Sequence, residues 1–162
     1  MSRILGIDPG LRITGWGIID RDGFHTRHVA HGTIVSETSE EISLRLSRIF
    51  RELSDVIEKY SPHEAGIEDV FVNRNPFSSL KLGMARGVAV CCAGFFGLKI
   101  AEYSANKIKK SVVGSGHAEK NQVSMMVQKL LNCDSVKQDA ADALAVAICH
   151  AHHNSFYAAA GI

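Results

Sequence analysis

Apolar and polar residues follow strand-like spacing in the first third of the chain and recur at three- and four-residue intervals beyond it. Ile4 to Asp8 is a short apolar run, Pro9-Gly10 a turn, Thr14 to Asp20 a second run, and His25 to Val35 a third that is rich in β-branched residues. The short connections predict an antiparallel meander. Thr38-Ser39-Glu40-Glu41 has capping-box spacing, after which Ile42, Leu46, Ile49, Leu53, Val56 or Ile57, and Tyr60 line one face of a predicted helix stopped by Ser61-Pro62. Ala65-Gly66-Ile67-Glu68 predicts a short buried strand. Ser78 to Phe96 predicts a helix with Leu80, Met84, Val88, Cys91 and Phe95 in line, and Leu98 to Tyr103 a fifth strand. Ala118 to Leu131 and Asp139 to about His152 predict two more helices, the last rich in alanine. The order β-β-β-α-β-α-β-α-α predicts an α/β fold, with a five-stranded mixed sheet, its first three strands antiparallel, flanked by helices.

The 162 residues are 46% hydrophobic and 22% charged, with no low-complexity stretch, linker or repeat, which predicts one globular domain. A chain of this length buries roughly 70% of the surface its unfolded form exposes, so its core needs no covalent staple. Cys91 and Cys92 are adjacent, Cys133 and Cys149 stand alone, and no Cys-x-x-Cys pair suggests zinc or a redox disulfide. Buried free thiols in a reducing cytoplasm are expected. The N-terminal run is broken by Asp8, unlike a signal peptide, and no stretch approaches the ~20 apolar residues of a membrane span.

The chemistry lies in carboxylates. Asp8 closes the first strand directly before Pro9-Gly10, and Glu68 closes the fourth directly before a loop, the position where α/β sheets place their ligands. Asp139 and Asp142, three apart at the start of the last helix, share one face. Singly, each has a plain alternative as a turn former, a helix cap or a dipole partner. Together they carry more, because Ala140, Ala141, Ala143 and Ala145 make that helix thin enough to approach the sheet and bring its acids to the strand ends. Four crowded carboxylates raise one another's pKa unless a cation compensates them. An all-oxygen donor set selects a hard ion such as Mg²⁺, with substrate phosphate completing its shell. That chemistry points to a nuclease.

Several motifs then carry a family resemblance: Gly6-Ile7-Asp8-Pro9-Gly10, Thr14-Gly15-Trp16-Gly17, Ile67-Glu68-Asp69-Val70-Phe71, Ala85-Arg86-Gly87-Val88-Ala89, Ala118-Glu119-Lys120 and Asp139-Ala140-Ala141-Asp142-Ala143-Leu144-Ala145. In order and spacing, from about Ile4 to His152, the chain resembles the RuvC family of Holliday-junction resolvases. The resemblance implies a ribonuclease H-like nuclease domain over residues 1–153 and a C-terminal tail over 154–162. It implies a homodimer that uses Mg²⁺ or Mn²⁺, one or two ions per subunit, to resolve four-way junction DNA by paired symmetric nicks in recombination and repair. Asp8, Glu68, Asp139 and Asp142 fall on the family's four acidic positions. The RuvA–RuvB branch-migration complex is the further partner it implies. Asp69, where relatives carry an uncharged residue, receives no catalytic role.

Net charge is only +1, yet setting the four acids aside leaves 18 basic against 13 acidic residues. Between Lys99 and Lys120 five lysines meet two acids, which suits phosphate contacts as well as an ordinary solvated face. By position Lys109 and Lys120 resemble the family's site lysines, and Lys120 lies in the first turn of a predicted helix. Phe71 and nearby Arg74 sit in a segment without helical period. The alternative for the ring is packing on its own domain, and the resemblance favours stacking on an unpaired base at the junction. His150, His152 and His153 follow the apolar part of the last helix and read as surface or tail residues; only His117 is close enough to Lys120 in sequence to suggest a DNA contact. The dimer is expected on the helix from Ser78 to Phe96, where Gly83, Gly87 and Ala89 permit close approach of another helix. Two other functions compete. Asp8-Pro9-Gly10 to Gly15-Trp16-Gly17 also resembles the opening hairpin of the actin and sugar-kinase superfamily, but those proteins need a second domain to enclose ATP. A non-catalytic junction-binding scaffold has no use for four acids that repel DNA.

Overall fold

The computed structural model describes residues 1–69 and 75–160, with side chains described through 153. Its elements are β1 (Ser2–Asp8), β2 (Ile13–Asp22), β3 (His25–Val35), α1 (Ile42–Tyr60), β4 (Glu64–Glu68), α2 (Pro76–Phe95), β5 (Lys99–Tyr103), α3 (Ala105–Val113), α4 (Lys120–Leu131) and α5 (Gln138–Ala160). The five strands form one sheet in the order β3-β2-β1-β4-β5. The first three are antiparallel neighbours, whereas β4 runs parallel to both β1 and β5. Alternation along each strand divides two cores. Leu5, Ile7, Ile18 and Ile67 pack under α1 and α2 with Ile49, Leu53, Ala85 and Ala89. Ile4, Ile19 and Tyr103 pack on the other face with α3, α4 and the alanines of α5.

Several elements depart from the sequence expectation, each for a local reason. Ser104, whose Oγ accepts from the Lys107 amide at 3.3 Å, starts an additional helix, α3, which ends at Gly114 in the left-handed region (φ 84°). Its apolar stripe is only Ile108 and Val112, too short to show as a period. Thr38 to Glu41 forms no capping box: α1 begins after Glu41 without a side-chain cap, and the Glu40 carboxylate accepts from the Glu37 amide and pairs with Arg48 instead. A capping box does form at Glu119 and Gln122, at the head of α4. The last helix runs on to Ala160, past the expected end near His152.

Helix α2 packs on the sheet through its small residues. Its small residues Ala85, Ala89, Cys92 and Ala93 are buried, while Leu80, Met84, Cys91 and Phe95 are exposed and Val88 is half-buried. Ala89 therefore belongs to the core and not to an open interface, and Cys91 is not a buried thiol. Gly83 and Gly87 open on empty space. His150, expected at the surface, is also buried, with only 2% exposure.

Candidate active site

The parallel pairing of β1 with β4 sets Ile7 beside Ile67, so the next residues, Asp8 and Glu68, emerge together at the ends of adjacent strands. Both carboxylates enter the same cleft, with a volume of about 220 Å³, whose lining also includes Lys109 on α3, Lys120 on α4 and Asp142 on α5. The turn after Asp8 is tied by Thr14, whose hydroxyl donates to the Gly10 carbonyl at 2.7 Å and accepts from the Gly10 amide at 3.3 Å.

Helix α5 reaches the strand ends because both surfaces are bare. A Cβ at Gly6 would fall on the Ala143 carbonyl and on Ala147, and one at Gly15 on the Asp139 carbonyl. The alanines anticipated for this approach account for half of it; the strand glycines facing them supply the other half. Asp142 arrives in the cleft. Asp139, one turn earlier, does not line it, although its charge is felt at Asp142.

Burial dominates the electrostatics. Desolvation, and then the neighbouring Glu68, push the Asp8 carboxyl up to about 9. When protonated, Asp8 can donate to the Glu68 carboxylate, which raises Asp8 and lowers Glu68. Glu68 is also raised by desolvation, against the opposing pull of the Asp8 hydrogen bond and of Lys120 and Lys109. Desolvation raises Asp142 as well, while Lys120 and Gln138 hold it down: Lys120 Nζ lies 3.6 Å from Oδ2, and the Gln138 amide donates to Oδ1 at 2.9 Å. Lys120 is 73% exposed, so this contact orients more than it stabilises.

The donor set suits a hard divalent cation, being all oxygen and carrying more negative charge than its surroundings offset. As the side chains stand, no three acids, histidines or cysteines among the described residues are gathered closely enough to hold an ion. Asp142 is turned to Gln138 and Lys120, and Asp139 stands outside the cleft.

Phe71 and Arg74 lie outside the described residues. His117 is exposed and its amide donates to Ser115. Gln138 escaped the sequence reading, although its spacing to Asp142 is that of a helical pair. The histidines beyond the site divide in role. Tyr103 donates from its hydroxyl to His150 Nδ1 at 3.0 Å, and His150 Nε2 donates to Glu64 at 2.9 Å, where Ser2 also donates, at 2.6 Å. Burial keeps His150 neutral, so its contact with Glu64 is a hydrogen bond that ties α5 to β4 and β5. His152 is exposed and bonded to Ser111.

Comparison with known proteins agrees with this architecture. A family model described as Crossover junction endodeoxyribonuclease RuvC matches residues 4–150. The crossover junction endodeoxyribonuclease RuvC of Gluconobacter oxydans is 55% identical over 156 residues, covering 96% of this chain and 93% of that protein. Among solved structures, T. thermophilus RuvC in complex with Holliday junction substrate superposes with a TM-score of 0.90 at 27% identity, covering 96% of each chain. A second Thermus thermophilus RuvC structure gives 0.84 at 29% identity over 98% of this chain and 96% of that one. The sheet is thus the ribonuclease H-like one of these proteins. The chain belongs to the RuvC family of crossover junction endodeoxyribonucleases, metal-dependent enzymes that act on Holliday junctions.

Proposed function

We propose that this chain resolves four-way junction DNA in the cytoplasm with Mg²⁺, for which Mn²⁺ substitutes, held by Asp8, Glu68, Asp139 and Asp142 as one or two ions per subunit. The observation that supports this most is the convergence of the Asp8, Glu68 and Asp142 carboxylates on one cleft beside Lys109 and Lys120, because crowded acids withdrawn from water are suited to a cation. A bound divalent ion supplies charge that activates water and stabilises the leaving 3′ oxygen in phosphodiester hydrolysis. The chain's own groups do the rest. Asp142, now bonded to Gln138 and Lys120, would be the ligand from α5, and Asp139, on the same helix face, would be the fourth acid. Lys109 and Lys120 then face the phosphate across the cleft and attract it. Phe71 and Arg74 are assigned to the unpaired bases and backbone at the junction centre. The four free thiols, one of them exposed, suit a reducing compartment, and no helix among the described residues is long and apolar enough to cross a membrane.

A homodimer completes the reading. Leu80, Met84, Cys91 and Phe95 are exposed along α2, with Gly83 and Gly87 open between them, an apolar stripe on which an identical helix can pack. A two-fold symmetric junction needs two identical sites related by the same symmetry. The RuvA–RuvB complex is included as a partner, to be checked by co-elution on a junction. The test of function is a labelled four-way junction incubated with protein and Mg²⁺. Paired nicks that stop on chelation are expected; an intact junction, or binding of nucleotide in place of DNA, refutes the proposal.

A further inference from the structure

We propose that Arg86 is a positioning residue for Glu68, bracing the end of β4 against α2 from behind the cleft; this rests on the proposed metal-dependent site. Glu68 is the last residue of its strand, and beyond it the sheet continues by one bond, from the Asp69 amide to the Tyr103 carbonyl at 2.8 Å. Alternation sends Glu68 towards α5 and its neighbours Ile67 and Asp69 towards α1 and α2. Glu102 stands beside Ile67 in register and so shares that rear face. Arg86 reaches both rear carboxylates from α2. Its Nε donates to Glu102 at 2.6 Å, a second guanidinium nitrogen donates to the same oxygen, and Nε lies 3.6 Å from Asp69.

A third of the Arg86 side chain is exposed, as is about a third of Glu102 and half of Asp69, so solvent screening leaves these pairs little weight in folding. Their effect lies in placement. One planar guanidinium engages the residue that follows Glu68 and the residue that precedes Tyr103, which fixes two strand ends relative to each other. The charge effect alone runs the other way, since freeing two carboxylates behind the cleft would favour a cation, so a loss of affinity on removing Arg86 reports the lost placement of Glu68. Met84, two residues before Arg86, and Gly87, directly after it, open outwards, so the helix that presents the apolar stripe is the one that braces the acid.

The test compares wild type with Arg86→Ala, Arg86→Gln and Arg86→Lys. Mn²⁺ affinity is measured without DNA, from free Mn²⁺ seen by electron paramagnetic resonance, and single-turnover junction cleavage and metal-free junction affinity are measured in parallel. Loss of a residue hydrogen-bonded to a metal ligand lowers metal affinity by roughly 10- to 100-fold, and for Arg86, one residue further out, the lower end of that range applies, about 10-fold. We expect a loss of about 10-fold for Arg86→Ala and Arg86→Gln, a matching fall in cleavage rate, unchanged melting temperature and junction affinity, and substantial recovery in Arg86→Lys. Arg86→Gln keeps a donor for Glu102 and serves if the alanine variant does not fold. Wild-type Mn²⁺ affinity in the folded Ala or Gln variant overturns the positioning role. A wild type that neither binds Mn²⁺ nor cuts junctions overturns the site itself instead.

Discussion

At the scale of the residue, Asp8, Glu68 and Asp142 are desolvated carboxylates that are costly without a cation. Asp8 has a folded pKa raised above the ordinary aspartate value, so ionisation is penalised in the fold but not in the unfolded chain. The sign follows: the apo protein loses this stability as pH rises from about 4 towards the raised folded value. Asp8→Asn is therefore expected to stabilise the metal-free fold by about 1 kcal/mol at neutral pH, and Mg²⁺ to raise the melting temperature of wild type more than that of the variant. Melting curves with chelator and with Mg²⁺ check this; an apo Asp8→Asn protein that melts well below wild type contradicts it. Asp8 and Glu68 were legible because both end apolar strands. Gln138 was not, because a glutamine before an acidic helix has many ordinary uses and only its bond to Asp142 sets it apart.

Element scale explains why α5 can deliver its acid to the sheet. Both surfaces must be bare, and Gly6 meets the Ala143 carbonyl so closely that any side chain displaces the helix. Gly6→Ala is expected to cost about 3 kcal/mol, the upper end for overpacking a well-packed core, and to reduce cleavage further by shifting Asp142. Equal melting temperatures for Gly6→Ala and wild type refute the close approach. The alanines of the helix announced this contact in the sequence. The facing glycines are spread over separate strands, so only the register of the sheet reveals that they form one surface. The lower part of α5 is fixed by His150, which lies hidden in a run of histidines that looks superficial. Its folded pKa is lowered by burial, so protonation favours the unfolded chain, and stability falls as pH drops through about 6.5. His150→Gln is expected to cost about 2 kcal/mol at neutral pH and to flatten that slope, as read from melting temperature against pH. An unchanged slope removes His150 from the account.

For the whole molecule, the two faces of α2 do different work. The inward face of small residues lets α2 sit close on the sheet, and the outward face leaves large apolar side chains exposed. Periodicity marked the helix but not which face was which, because alanine and leucine read alike as apolar, and only packing sorts small from large. Gly87→Glu places a charge in the open stripe without touching the core. It is expected to give a folded monomer by light scattering that nicks slowly and singly; a folded monomer that still makes paired incisions contradicts the dimer. The sequence of strands and helices and the antiparallel start of the sheet were readable from pattern and resemblance, whereas the short helix α3, with two buried residues, carried too little period to be seen.

Asp8, Glu68 and Asp142, which line the cleft, and Asp139 beside them are proposed to hold the ion that cuts the junction. The most direct measurement of this is single-turnover cleavage of a labelled four-way junction by Asp8→Asn, Glu68→Gln and Asp142→Asn, with junction affinity measured alongside. Each variant is expected to lose at least ~10²-fold in rate and to retain wild-type binding, because what is removed is stabilisation of charge developing in the transition state. Cleavage at the wild-type rate by Asp8→Asn or Glu68→Gln would contradict the assignment of this cleft as the active site.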